Sequence, residues 1–166
     1  MKRILRQNGQ WPGGSPMRRK DKEIQSQSDI ESIIRRARVC RLALTDKNRP
    51  YIIPMCFGYH SHSLYFHCAS QGRKTDMLEA NRQVCFEFDV DVVPSEAACS
   101  WSMAYRSVIG FGTAFFIETP ESRRTALDII CRQYMGERSF DYTDESIARL
   151  TFIRVDIESM TGKRSP

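Results

Sequence analysis

Stretches in which hydrophobic and polar residues alternate, separated by short polar turns, recur along the chain after Ser28. Alternation with a period of two is typical of β-strands that bury one face. The predicted strands cover residues 41–45, 51–59, 64–68, 84–90, 99–117 and 150–157. The first three follow one another across tight turns, which predicts an antiparallel meander. The fifth is long enough to be split or strongly bent near Ala104, and residues 92–96 before it are predicted to form a loop.

Helical patterns interrupt the strands in three places. Ser28 and Glu31 form a capping-box pattern at the start of a short amphipathic helix. A second helix begins near Arg73, and Thr119-Pro120 begins a third, since it offers an N-cap residue followed by proline in the first turn. The predicted fold class is therefore mainly β (α+β), with six or seven antiparallel strands and two principal flanking helices. The simplest such architecture is a closed or split β-barrel.

The first 27 residues lack apolar periodicity and are rich in glycine, proline, glutamine and charged residues. This composition predicts a flexible segment. We therefore divide the chain into a flexible basic N-terminal tail, residues 1–27, and one folded domain, residues 28–166. Met17 is an alternative start, because the residues after it already resemble the opening of a domain.

The chain has 166 residues, 41% hydrophobic and 27% charged, which suffices for one domain to bury a core without metals or disulfides. Its formal net charge is +5, but six of its 25 basic residues precede the first acidic residue. The other 19 are matched by 20 acidic residues, so the folded domain is nearly neutral. This balance argues against a nucleic-acid surface, and no nucleic-acid partner is expected.

No apolar run is long enough to span a bilayer, and the N-terminus lacks the apolar core of a signal peptide. We therefore expect a cytoplasmic protein without a membrane partner. The six cysteines are scattered without a Cys-x-x-Cys pair, and no acidic cluster suits magnesium or calcium. The sequence thus predicts free, mostly buried cysteines and no metal site.

Residues 64–78 combine a buried strand, a small polar loop and the first turn of a helix, with Arg73 and Lys74 where the helix begins. A helix N-terminus presents unpaired backbone N–H groups and the positive end of a dipole, and the two cations add to both. That combination suits a phosphate. On these residues alone, solvated surface charges on an ordinary helix remain the other interpretation.

His67 lies at the end of the strand that leads into this loop. It is either a hydrogen-bonded residue at the barrel end or a catalytic proton donor. Neighbours on a strand point to opposite faces, so His67 and Cys68 are not expected to form a catalytic pair. His60 and His62 flank a turn and are expected to be exposed.

Two strands carry residues that leave flat space beside the sheet. Pro54 cannot donate to a β-ladder, so it belongs at an edge or a bulge, and Gly58 lets a ligand or another backbone approach. Gly110 and Gly112 are two positions apart and face the same side of the sheet. A ligand with a flat body against these strands and a phosphate at the loop has the shape of a flavin mononucleotide.

The segment Phe66-His67-Cys68-Ala69-Ser70-Gln71-Gly72-Arg73-Lys74 resembles the flavin-phosphate segment of the pyridoxamine 5′-phosphate oxidase-like split barrels. Six segments resemble more closely the branch of that family that includes the 5-nitroimidazole resistance proteins. They are residues 54–59, 64–74, 98–100, 105–108, 126–130 and 160–163. The resemblance covers roughly residues 29–163, nearly all of the predicted domain.

The resemblance implies a split barrel and a homodimer with flavin at or near the subunit interface. The cofactor would be FMN, with FAD as an alternative and haem as a further one. Arg73 and Lys74 would hold the flavin phosphate, and His67 would be the catalytic residue. The implied cofactor-binding residues are Pro54, Met55, Cys56, Phe57, Gly58, Tyr59, His67, Cys68, Ser70, Gly72, Arg73, Lys74, Arg106, Ser107 and Val108.

The implied function is that of an FMN-dependent oxidoreductase that reduces a small planar acceptor. The oxidases that act on vitamin B6 continue into a C-terminal segment that grips the substrate phosphate, whereas this sequence stops at Pro166, so vitamin B6 oxidation is not expected. Ser107 and Cys68 also replace a glutamine and a threonine of the oxidases. The alternative is a flavin- or haem-binding carrier or sensor of the same fold without turnover, and a DNA-binding barrel is a third hypothesis that the near-neutral domain disfavours.

Overall fold

Eight strands form one antiparallel sheet in the computed structural model, which describes residues 17–97, 100–138 and 140–165. The strands are β1 (Glu23–Ile24), β2 (Cys40–Asp46), β3 (Arg49–Met55), β4 (Gly58–His60), β5 (Ser63–Ala69), β6 (Gln83–Ala97), β7 (Ser100–Ile117) and β8 (Leu150–Ser165). Their order across the sheet is β3-β2-β6-β7-β8-β5-β4, and β1 pairs with β8. In the described residues the end strands β3 and β4 pair with their hairpin neighbours and not with each other. The sheet is therefore open, and the predicted split barrel is confirmed.

Four α-helices lie within the same described ranges: α1 (Gln27–Arg36), α2 (Arg73–Ala80), α3 (Pro120–Met135) and α4 (Asp144–Ala148). Thr119 caps α3 by accepting a hydrogen bond from the backbone N–H of Ser122, as the sequence predicts. The predicted cap of α1 is wrong by two residues, since Ser26 accepts from the N–H of Asp29. None of the helices in the described part of the chain is both long and apolar enough to cross a membrane.

The boundary predicted between tail and domain is too late. Residues 20–22 form a 3-10 turn, and Glu23 and Ile24 pair with Lys163 and Gly162 of β8. Ile24 is buried, so these residues are part of the fold. A two-residue strand is too short to produce a periodicity signal. The rest of the predicted tail, residues 1–16, lies outside the described residues.

The strand predicted over residues 51–59 is two strands. It stops at Met55, crosses the gap between the two ends of the sheet through Cys56 and Phe57, and resumes as β4 at the other end of the sheet. The two hairpins, β2–β3 and β4–β5, are present, but a crossing between them replaces the predicted continuous meander. Pro54 lies on edge strand β3, where its missing N–H costs no ladder hydrogen bond.

The loop predicted at residues 92–96 is instead part of β6, and β7 runs unbroken from Ser100 to Ile117. The irregularity expected near Ala104 lies on the facing strand, where the register shifts between Val90 and Val93. Asp91, at this shift, has a φ of 57°. The extra residue is thus accommodated as a bulge in β6, and β7 does not have to break.

Most of the core lies inside the barrel, between α1, α2 and the inward faces of the strands. A smaller cluster under α3 and α4 covers part of the outer face of the sheet. The predicted flat space at Gly110 and Gly112 does not exist inside one chain. A Cβ at Gly110 would lie 2.2 Å from the ring of Phe86, and one at Gly112 would lie 2.4 Å from the carbonyl oxygen of Asp156. The absence of a side chain at these glycines makes room for the Phe86 ring and for the backbone of β8 at Asp156.

Candidate functional site

Helix α2 begins with an uncapped N-terminus. Its N-cap residue is Gly72, whose φ of 141° is a conformation that L side chains rarely adopt, and no side chain of the described residues caps the helix. Thr75 Oγ1 and the N–H of Asp76 both donate to the carbonyl oxygen of Gly72, at 2.5 and 3.1 Å. These bonds close the first turn, while its leading N–H groups have no acceptor within the helix. They remain available to an anion.

Two cations stand at this N-terminus. Arg73 is exposed and Lys74 is half-buried, and neither forms an ion pair with a carboxylate of the described residues. The guanidinium carbon of Arg73 lies 4.7 Å from the centre of the Tyr51 ring. A cavity of about 190 Å³ opens here, lined by Tyr51, Ala69, Gln71, Gly72, Arg73, Lys74 and Thr75. We call this set the phosphate cradle.

The donors of the phosphate cradle fit a phosphate group. Backbone N–H groups, a guanidinium and an ammonium converge on one small cavity, and all of them favour an anion. Ligand pockets usually enclose about 300–1,000 Å³. The cradle is smaller, so it would hold the phosphate end of a flavin nucleotide while the ring system lies outside it.

His67 and Cys68 lie beside the cradle on opposite faces of β5, as predicted. Cys68 packs against the barrel core, whereas the His67 ring lies 6.2 Å from the ring of Phe152 on the other face. Burial lowers the pKa of His67, and the nearby Lys74 ammonium lowers it further. Burial raises the pKa of the Cys68 thiol, and Lys74 acts on it in the opposite direction.

The Nδ1 atom of His67 is buried and has no hydrogen-bond partner among the described residues. An unpaired buried nitrogen costs about 1–3 kcal/mol. His67 shares a strand face with Ala69, which lines the cradle, but His67 itself is not among the lining residues. It is therefore placed to meet a group that extends beyond the cradle.

Residues 54–59 divide between surface and core. Pro54 and Cys56 are exposed, whereas Met55 and Phe57 are buried. The backbone N–H of Phe57 donates to the Tyr134 hydroxyl at 2.9 Å, and its ring packs 4.7 Å from that of Phe88. These contacts occupy the backbone and side chain of Phe57, so its contact with a cofactor stays a prediction without structural support.

Gly58 and Tyr59 face helices. A Cβ at Gly58 would lie 2.7 Å from backbone atoms of Ile129 in α3, so this glycine admits a helix. The Tyr59 hydroxyl is buried near Glu31 of α1, and burial raises its pKa to about 12. The closeness expected at Gly58 is real, but the approaching group is the protein's own backbone.

Arg106, Ser107 and Val108 lie far from the cradle within one chain. Ser107 pairs with Lys163 of β8, whereas His67 pairs with Phe152, eleven residues earlier on that strand. At about 3.3 Å per residue this separation is roughly 36 Å of strand. Arg106 lies 3.8 Å from Asp91, and Val108 is fully buried in the core. One chain therefore brings Gly72, Arg73 and Lys74 together, with Ser70, His67 and Cys68 adjacent, and leaves residues 106–108 elsewhere.

Tyr51 is the cradle residue that sequence reasoning missed. Strand alternation gives it the same orientation as Ile53 and Met55 and so indicates only a core position. Its contact with Arg73 depends on how α2 folds back against the β2–β3 hairpin. No local signal in the sequence encodes that approach.

The chain resembles known proteins over most of its length. Residues 26–164 match the model of the pyridoxamine 5′-phosphate oxidase family. A candidate 5-nitroimidazole antibiotic resistance protein from Bacteroides thetaiotaomicron has 38% sequence identity and a TM-score of 0.80, with 86% of each chain covered. A comparison with curated protein sequences finds no match.

Two structures with lower identity share the fold. The flavocytochrome Anf3 from Azotobacter vinelandii is 18% identical, with a TM-score of 0.76 over 90% of this chain and 72% of that one. An FAD- and haem-binding protein from Mycobacterium smegmatis is 20% identical, with a TM-score of 0.77 over 87% and 73%. The resemblance expected from the cradle segment is confirmed, and the chain belongs to the pyridoxamine 5′-phosphate oxidase family of split barrels.

Proposed function

We propose that this protein is an FMN-dependent oxidoreductase that reduces a small planar acceptor. The observation that carries the proposal is the phosphate cradle, where an uncapped helix N-terminus and two cations without a carboxylate partner in the described residues surround one small cavity. The structural relative from Bacteroides thetaiotaomicron is named for 5-nitroimidazole resistance, and a nitroimidazole is a small planar acceptor. The identity of 38% supports the same kind of acceptor here.

Flavin, when bound, supplies the redox chemistry, and the protein supplies binding and orientation. Arg73, Lys74 and the first N–H groups of α2 would hold the phosphate. Gly72 is required at the turn because its φ of 141° brings the backbone N–H groups toward the cavity. The mononucleotide is favoured over FAD because the cradle is small and its donors converge on a single phosphate position.

We propose that His67 contacts the bound flavin or its acceptor through the exposed part of its half-buried ring. Since burial and Lys74 both lower its pKa, His67 is mainly neutral at pH 7. A neutral imidazole orients a partner by hydrogen bonding, and the fraction able to donate a proton as imidazolium grows as the pH falls. Proton donation by His67 would thus favour mildly acidic conditions.

We also propose a homodimer that completes the flavin site. Within one chain, residues 106–108 are too distant to join the cradle, so their contact with flavin requires a second copy. The outer face of the sheet exposes Ile52 of β3 and Ile109 of β7, at 61% and 46%. An apolar surface of this kind is typical of protein interfaces. A cytoplasmic location and the absence of nucleic-acid and membrane partners remain expectations from the sequence.

The absorption spectrum of the purified protein tests the flavin proposal. We expect flavin bands, or their appearance on adding FMN, and their loss in Arg73→Ala/Lys74→Ala. The control variant Arg18→Ala/Lys20→Ala removes the same charge at exposed positions near the N-terminus and should keep the flavin. A wild-type protein that takes up no flavin would refute the proposal. Bound flavin should then be reoxidised by a 5-nitroimidazole under anaerobic conditions after chemical reduction.

The second candidate is a flavin or haem carrier or sensor without turnover. It is favoured by His67, because histidine is a common axial haem ligand and the half-buried His67 ring lies beside the cradle. The proteins named as a flavocytochrome and as an FAD- and haem-binding protein share the fold. A Soret band that disappears in His67→Ala would establish haem binding, whereas tightly bound flavin that no nitroimidazole reoxidises would favour a carrier or sensor.

A further inference from the structure

We infer that Tyr51 is a positioning residue of the phosphate cradle: its ring holds the Arg73 guanidinium in the orientation in which Arg73 binds the flavin phosphate. This inference rests on the proposed function, because it assigns the anion of the cradle to a flavin nucleotide. It adds a residue outside the helix N-terminus to the binding machinery. It also makes the β2–β3 hairpin, whose Tyr51 lies 22 residues before Arg73, part of cofactor selection.

The Tyr51 ring is anchored. Tyr51 is half-buried, it packs against the barrel core, and its backbone pairs with Leu44 in the β2–β3 hairpin. Leu44 is itself buried, so the strand that pairs with the one carrying the ring is fixed in the core. A ring held in this way cannot follow a mobile partner, and the partner must instead come to rest on it.

Arg73, by contrast, has no other restraint in the described residues. It is exposed, no carboxylate pairs with it, and no hydrogen bond to its guanidinium is formed within the described ranges. A free arginine side chain loses substantial rotamer entropy when it binds a ligand. The contact at 4.7 Å from the ring centre restricts it before binding, which lowers that cost.

The contact also leaves the arginine donors available. It uses the face of the Tyr51 ring, and the guanidinium N–H groups keep their capacity for an anion in the cavity that both residues line with Gly72. Tyr51 therefore acts through Arg73 and needs no hydrogen bond of its own to the ligand. Its effect should appear for flavins that carry a phosphate and be absent for riboflavin, which has none.

A simple packing role predicts something different. If Tyr51 only fills the core, its removal should weaken the whole fold and reduce the binding of both flavins. The chain offers a matched control at Phe115, because the guanidinium carbon of Arg154 lies 5.4 Å from the centre of its ring and Phe115 is not among the residues that line the cradle. Phe115→Leu removes a cation–π contact of the same class without touching the cradle.

The experiment is a titration of FMN, and separately of riboflavin, with the full-length protein. Quenching of the flavin fluorescence measures binding. Tyr51→Leu should weaken FMN binding about two- to fivefold, the range expected for an exposed cation–π contact. Riboflavin affinity should stay at the wild-type value. Tyr51→Phe keeps the ring and should bind FMN like wild type, and so should Phe115→Leu. Thermal unfolding of each variant, with its riboflavin affinity, verifies that the fold is intact.

A double-mutant cycle with Arg73→Ala decides whether Tyr51 acts through Arg73. In the Arg73→Ala background, Tyr51→Leu should cause no further loss of FMN affinity. Additive losses would overturn the inference, as would equal losses of FMN and riboflavin or an unchanged FMN affinity in Tyr51→Leu. In each of those cases wild-type binding of FMN would leave the proposed function standing. Failure of the wild type to bind FMN would remove the function and the inference together.

Discussion

The hydroxyl of Tyr134 in α3 accepts a hydrogen bond from the backbone N–H of Phe57 at 2.9 Å. The same hydroxyl donates to the carbonyl oxygen of Arg38, at 3.0 Å. Phe57 lies in the two-residue crossing between β3 and β4, where no ladder satisfies its backbone. One phenol oxygen thus joins the crossing, the segment before β2 and helix α3.

Tyr134→Phe should destabilise the protein, because it leaves the buried N–H of Phe57 without an acceptor. The expected cost is about 1–3 kcal/mol. Chemical denaturation monitored by circular dichroism measures it. Tyr142→Phe is a suitable control, since the Tyr142 hydroxyl contacts the Cys131 sulfur, which is a weak acceptor, and no backbone N–H. Equal decreases in the free energy of unfolding for the two variants would contradict the argument that the Phe57 N–H depends on Tyr134.

Gly58→Ala should be severely destabilising, because the new methyl group would lie 2.7 Å from the backbone of Ile129. Backbone atoms of a helix cannot yield as a flexible side chain does, and overpacking of this kind costs typically about 1–3 kcal/mol or more. At Gly136 a Cβ meets nothing within 4 Å, although its φ of 70° imposes strain. Gly136→Ala should therefore cost only the strain of this backbone conformation, about 1–3 kcal/mol, and less than Gly58→Ala. Chemical denaturation of Gly58→Ala and Gly136→Ala gives the two free energies of unfolding to be compared.

Stability should fall as the pH drops below the ordinary histidine pKa of 6.5. The pKa of His67 is lower in the folded protein, so the unfolded chain binds the proton at a higher pH than the folded protein does. Proton binding therefore stabilises the unfolded chain relative to the folded protein. The loss continues until the pH passes the folded pKa. His67→Gln should flatten the dependence below the ordinary histidine pKa of 6.5.

Lys74→Gln should raise the pKa of His67, since the ammonium is one of the two causes of its lowering. The pKa should remain below 6.5, because burial is the larger cause and is unaffected. NMR titration of the histidine ring protons measures both quantities. A pKa that does not move would show that Lys74 and His67 are not neighbours in solution.

The cysteines should differ in reactivity. Cys56 is exposed in the crossing, whereas Cys40 is fully buried, and burial raises the pKa of its thiol far above the ordinary value. Since the thiolate is the reactive form, iodoacetamide should label Cys56 at least about tenfold faster than Cys40 in the native protein. Peptide mass spectrometry measures both rates. Comparable rates would mean that the β2 region opens readily.

Sequence reasoning identified the parts of the site that depend on local chemistry. The start of α2 at Arg73 follows from Gly72 and from the polar loop before it, and the start of α3 follows from Thr119-Pro120. Both signals act within a few residues, so a sequence displays them directly. The barrel class followed in the same way from repeated alternation, although β1 was too short to show it.

The features that were missed depend on residues distant in sequence. Pro54 and Gly58 indicated an edge or a bulge near Cys56, but no local signal showed that the chain continues at the other end of the sheet, and Tyr134, which holds the crossing, lies 77 positions away. Residues 92–96 resemble a loop because of Pro94, yet they pair with the strand that follows. The Gly110 and Gly112 pattern predicted open space wrongly, because nothing near these glycines in sequence shows that Phe86 and Asp156 fill that space.

The short crossing from Met55 to Gly58 has a consequence for how the barrel unfolds. It ties the two free ends of the sheet to each other, and three residues of chain span at most about 11 Å. The strands at the seam therefore cannot unroll one after another while the backbone is intact, and the fold should be lost in a single cooperative step. A single proteolytic cut at Cys56 would remove this tether without deleting any strand, and would turn the barrel into a sheet that frays from both edges.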